Sequence, residues 1–142
     1  MLVGDNNRGT GNDNSAHGNN NRFMGHSNIM IGDDNTLIGD KNQMKGHKNK
    51  IAGLNNFITG NHNSMKGDRN QIIDGSGNAI DGSRNTINQG DNNNLNGHDN
   101  VLDGKSNQVV GGDNKIQGGD NSINQGYRNI LIGEGNLIEE GD

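Results

Sequence analysis

Apolar and polar positions alternate on a short and regular period. From Phe23 onward an apolar residue stands two positions after an asparagine in seventeen consecutive units, running through Phe23, Met30 and Leu37 to Ile123, Leu131 and Ile138. The asparagines themselves, from Asn7 to Asn136, number nineteen; fifteen of their eighteen spacings are seven residues and three, ending at Asn78, Asn93 and Asn129, are eight. A glycine lies three positions before every one of them, which accounts for nineteen of the 25 glycines. The unit is therefore Gly-x-x-Asn-x-Φ-x, with Φ apolar. The first two units carry Gly9 and Ala16 at Φ, so residues 1–22 read as degenerate amino-terminal coils and residues 23–142 as regular repeats of a single domain.

A period of seven suggests a coiled coil, but that needs two apolar positions per repeat, and each repeated glycine would cost a helix about 1 kcal/mol. An extended segment over Asn-x-Φ-x fits instead. Alternation then puts Asn and Φ on one side and the two x residues on the other, and Gly-x-x turns the chain. Two units close one coil of 14–15 residues, giving an all-β, two-sheet solenoid. Its coils stack about 4.8 Å apart into a rod on the order of 45 Å long. Glycine suits a crowded or positive-φ corner, the eight-residue steps read as one-residue bulges, and the inward asparagine amides pair with turn backbone and with the next coil as a ladder.

Composition narrows the functional classes. Only 25% of the chain is hydrophobic and 2% aromatic, too little for a conventional core, yet the strict period and the absence of proline argue against disorder. The net charge of −5 arises from 17 acidic and 12 basic residues scattered singly. No basic stripe or aromatic platform is available to nucleic acid, and no apolar run approaches a membrane span. Cysteine is absent, so thiolate metal sites and disulfides are excluded.

Glycine recurs so often that matches such as Gly75-Ser76-Gly77 carry no nucleotide-binding meaning. His26, His47, His62 and His98 fall in corners and read as turn residues. Asp33, Asp34, Asp40, Asp68, Asp91, Asp113 and Asp120 also fall in corners, but calcium-binding solenoids use a nine-residue unit, and here Asp interchanges with His, Asn, Ser, Lys and Tyr127. No cofactor, metal or catalytic pocket is expected.

The outward faces hold the remaining information. One displays Thr36/Ile38, Lys50/Ala52, Ser64/Lys66, Ala79/Asp81, Asn94/Asn96, Gln108/Val110, Ser122/Asn124 and Leu137/Glu139; the other is bulkier, with apolar pairs such as Ile29/Ile31 and Ile130/Ile132 towards its two ends. Units such as Gly32-Asp33-Asp34-Asn35-Thr36-Leu37-Ile38-Gly39 and Gly82-Ser83-Arg84-Asn85-Thr86-Ile87 resemble the x-x-Asn-x-Val-x-Gly repeat of the ice-recrystallisation-inhibiting antifreeze proteins of grasses, the ryegrass type. The resemblance covers nearly the whole chain. It implies a left-handed β-roll, an extracellular setting and adsorption to an ice surface through a flat outward sheet of Thr, Ser and Val.

On this sequence that face maps to Thr36, Ile38, Ala52, Ser64, Ala79, Asn94, Val110 and Ser122. The chain departs from the grass pattern in having four threonines in all and in placing Lys50, Lys66, Asp81 and Glu139 on the same face. Two other readings stay open. Outward Ile29, Ile31, Ile38, Ile130, Ile132 and Leu137 suit a self-assembling solenoid associating end to end. Asn129-Ile130-Leu131-Ile132-Gly133 is somewhat similar to the coils of trimeric adhesin heads.

Overall fold

The computed structural model describes residues 1–141, with the side chains of all but residues 125–127 and 139–141. Twenty short strands, from β1 (Leu2–Val3) to β20 (Leu137–Gly141), alternate between two ten-stranded sheets among the described residues. Odd-numbered strands form one sheet and even-numbered strands the other, and every pairing is parallel. This is the expected two-sheet solenoid. The described residues contain no helix, so none is long and apolar enough to cross a membrane.

Register follows the repeat. Thr36 pairs with Lys50, fourteen residues on, and Ser64 pairs with Ala79, fifteen on. The burial alternation is that of a strand with one face inside: Thr36 and Ile38 flank Leu37, which is fully buried. The Φ residues from Ala16 to Leu131 make one continuous buried column, with Ile138 packed partly against it. Each large member removed from water contributes about 1.5–3 kcal/mol before entropy is counted.

The asparagine ladder is bonded on both sides of the amide. Asn49 Oδ1 accepts the backbone N–H of Asn63 at 2.9 Å, while Asn49 Nδ2 donates to the carbonyl of Gly60 at 2.7 Å. Both partners belong to the next coil, so the inward polarity is satisfied only by correct stacking. Asn114 Oδ1 and Asn129 Nδ2, near the carboxyl end, are buried without a hydrogen-bond partner among the described residues.

Corner glycines answer two demands at once. Gly46 has φ +129°, and a Cβ built on it would lie 1.7 Å from the carbonyl oxygen of Gly60 in the adjacent coil. The sequence reading treated conformation and crowding as alternatives, and both apply. A second positive-φ position lies immediately before the ladder asparagine, as at Asp34 (φ +59°), Asn92 (φ +58°) and Arg84 (φ +58°).

Eight-residue steps lengthen a strand at its exit into the corner. Strands β11 (Gln71–Asp74) and β13 (Thr86–Gln89) each carry one extra residue, and Asp74 pairs with Gln89, so the two irregularities stack. The third step breaks register between β16 (Gln108–Gly112) and β18 (Ser122–Tyr127). There Val110 pairs with Asn124 but Gly111 with Gly126. At the other end, Phe23 fills the place that Gly9 leaves empty: a Cβ on Gly9 would meet the Phe23 ring at 2.0 Å.

Candidate functional site

The solenoid has two broad outward surfaces and two lines of corners. The even sheet gathers all eight residues expected on the binding face. Thr36, Ser64, Ala79, Asn94 and Ser122 occupy one column, paired rung by rung through Lys50 and Gln108. Ile38, Ala52 and Val110 occupy the second column, in register with Lys66, Asp81, Asn96 and Asn124. The columns are about 7 Å apart and the rungs about 4.8 Å, a two-dimensional net held by the strand ladder itself.

Three charges stand on this net. Lys50 interrupts the first column. Lys66 and Asp81 stand next to each other in the second column and form an ion pair, Nζ to Oδ2 at 3.4 Å, with both side chains more than half exposed. Pairing keeps these two near the surface and near neutrality, but their heads still hold oriented water. The fourth interrupting residue named from the sequence, Glu139, lies outside the described side chains, as does Tyr127.

The corners use side chains to cap backbone. Asp40 Oδ1 accepts the N–H of His26 at 2.6 Å and Asp68 Oδ1 that of Leu54 at 2.8 Å. His26 Nδ1 and His47 Nδ1 accept the N–H groups of Asn12 and Asp33 at 3.0 and 3.2 Å, and the Asp33 carboxylate lies 3.4 Å from the same His47 nitrogen. These histidines therefore act as turn caps. One corner brings ligand-type atoms of His98, Asp99 and Asp113 within 4.8 Å of one another. Asp99 there is held by Arg84 through Nε and the guanidinium NH2 group, both at 2.6 Å, which occupies the carboxylate that a cation would need. Arg84, helped by His98, lowers the Asp99 pKa to about 2.

Apolar residues that suggested end-to-end association lie on the two outward faces, as expected from the repeat. Ile29, Ile31, Ile130 and Ile132 point outward from the odd sheet, and Ile38 and Leu137 from the even sheet, all exposed. They project across the stacking axis, and Ile130, Ile132 and Leu137 stand on the last strand of each sheet.

The repeat, the amide ladder and the paired parallel sheets have a counterpart among known proteins. A sequence profile described as the grass antifreeze beta roll matches residues 1–87 and again residues 51–142, which together span the chain. The chain belongs to the grass antifreeze β-roll family. Ice binding is thus supported at the level of the family. A search of curated proteins returned no match. Within this β-roll the sequence reading missed the positive-φ position ahead of each ladder asparagine, although Asn, Asp and Gly recur there. It also missed the pairing of Lys66 with Asp81, which depends on the fifteen-residue register between their strands.

Proposed function

We propose that this β-roll adsorbs to ice through the outward face of its even sheet and thereby restrains recrystallisation, without catalysing a reaction. The observation that carries the reading is the two-column net of Thr36, Ile38, Ala52, Ser64, Ala79, Asn94, Val110 and Ser122, mostly small or uncharged and fixed in register. Ice is a neutral, periodic surface. A rigid net of short side chains can meet it without losing rotamer entropy, and small methyl and hydroxyl groups order adjacent water with little cost to remove it. Lys50 and the Lys66–Asp81 pair weaken that match at the centre, so the activity expected is modest.

The test is Ala79→Tyr. Ala79 is half-buried between Ser64 and Asn94 in the first column, and a phenol there stands the neighbouring coils away from a flat surface. The concentration needed to keep ice grains small on annealing should rise about tenfold or more, as removal of a central contact does at other interfaces. The far-UV spectrum and melting temperature should stay as in the parent protein. An unchanged inhibitory concentration rejects this face.

A further inference from the structure

The odd sheet carries a second uncharged surface that the assignment above does not use. Its first outward column runs Phe57, Gln71, Thr86 and Val101 in unbroken register, with Thr59 and Ile73 in the column beside it. No charged side chain stands in the two outward columns from Phe57 to Asn88; exposed Asp74 borders Ile73, Asp103 shares the rung of Val101, and Lys45 bounds the patch on the other side. Two of the four threonines of the chain lie within it.

The charged and uncharged stretches of the two sheets are complementary along the axis. Where the even sheet carries Lys50, Lys66 and Asp81, the odd sheet presents Phe57 to Thr86. Where the odd sheet carries Asp103 and Lys115, the even sheet presents Asn94 to Ser122. From the coil of Phe57 and Ser64 to that of Lys115 and Ser122, each coil therefore has one face with no charge in its two outward columns.

We infer that the odd-sheet patch centred on Thr86 is a second ice-contacting surface, opposite the first, so that one copy can touch ice from either side. The inference rests on the ice-binding reading proposed above. Three rungs by two columns, with Val101 beyond them, cover on the order of 200 Å². That is far below the roughly 800 Å² per partner of a stable protein interface, so a second protein chain is a poor occupant. A neutral, rigid patch suits a neutral, periodic solid. The stacked extra residues Asp74 and Gln89 lie at the margin of the patch, beyond its second column, and leave the first column straight.

The experiment compares four proteins: the parent, Ala79→Tyr, Thr86→Tyr and the double variant. Tyrosine is a good strand residue and both sites face outward, so melting by circular dichroism should be alike in all four. The reading is the fraction of protein carried into a slowly grown ice shell, with size-exclusion chromatography of each protein alongside. Each single variant should keep part of the parent fraction, and the double variant should fall to that of a protein that does not bind ice. If Thr86→Tyr matches the parent and the double variant matches Ala79→Tyr, the odd-sheet surface is rejected while the even-sheet reading stands. If Ala79→Tyr matches the parent and Thr86→Tyr alone excludes the protein from ice, the even-sheet assignment falls and the odd-sheet surface stands. A parent protein that stays wholly in the liquid overturns both. Concentration-dependent dimers lost in Thr86→Tyr would assign the patch to a second copy and overturn the inference.

Discussion

Asn92, Asn93 and Asn94 are identical side chains in a row, placed by the fold in three environments. Asn92 has φ +58° in the corner, Asn93 is buried in the ladder, and Asn94 is exposed on the even-sheet face. Truncating Asn93 to alanine removes the acceptor of the Asn107 backbone N–H (2.9 Å) and the donor to the Gly104 carbonyl (2.8 Å). Asn107 is 1% exposed, so its N–H finds no water. An orphaned buried donor costs about 1–3 kcal/mol, and the partly accessible Gly104 oxygen adds about 1, for a total of about 2–4 kcal/mol. Asn92→Ala loses only the tolerance of asparagine for the left-handed region, about 1 kcal/mol. Asn94→Ala stays within about 0.5 kcal/mol. Equilibrium urea unfolding followed at the strand band of the circular dichroism spectrum measures all three, with equal m-values as the check that one transition is compared. Equal losses at positions 93 and 94, or a loss at 93 below that at 92, would refute the ladder as the source of stability.

Two further outcomes follow from local geometry. Gly60→Ala meets both a φ of +124° and a Cβ 2.0 Å from the Gly75 carbonyl oxygen, so the corner must open and the loss should exceed about 3 kcal/mol. Gly135→Ala, with φ +67° and nothing within 4 Å of its Cβ, should cost only about 1–2 kcal/mol by the same unfolding measurement. Asp99 has its folded-state pKa depressed to about 2 by Arg84, so the pair's contribution is present above the ordinary carboxylate pKa and is lost as pH falls from about 4 through 2. A melting-temperature difference between the parent and Asp99→Asn at pH 7 should accordingly shrink to a small remainder at pH 2, and a difference that persists undiminished there assigns the effect to something other than charge.

Much of this architecture is legible in the sequence because the repeat states it nineteen times. Inward Asn and Φ, the coil of two units and the membership of each outward pair in one sheet all follow from a period of seven combined with strand alternation. The second positive-φ position was hidden by its varied occupants. Lys41, Lys48, Arg69 and Arg128 adopt φ near +58° although long side chains gain nothing there. Contacts between coils impose it: the N–H of Lys48 donates to the Asp33 carbonyl at 3.0 Å and that of Arg69 to Leu54 at 2.9 Å. Local preference loses to a hydrogen bond that exists only after stacking. The faces were legible as sets of residues but not as surfaces, since Lys66 and Asp81 meet only because their strands pair with a fifteen-residue offset.

The polar interior is what makes the outer surface dependable. An apolar column alone tolerates slippage, because one leucine packs on another at many offsets. The ladder does not. From Asn14 to Asn107 the amide Oδ1 takes the backbone N–H of the equivalent asparagine one coil on and the Nδ2 takes the glycine carbonyl beside it, as Asn35 does with Asn49 and Gly46. A slip of one residue would orphan several buried donors and acceptors, at about 1–3 kcal/mol apiece, and would turn the outward columns inward. The same bonds that hold the coils together therefore fix the spacing of Thr36, Ser64, Ala79 and Asn94, and a surface that must match a crystal depends on that spacing.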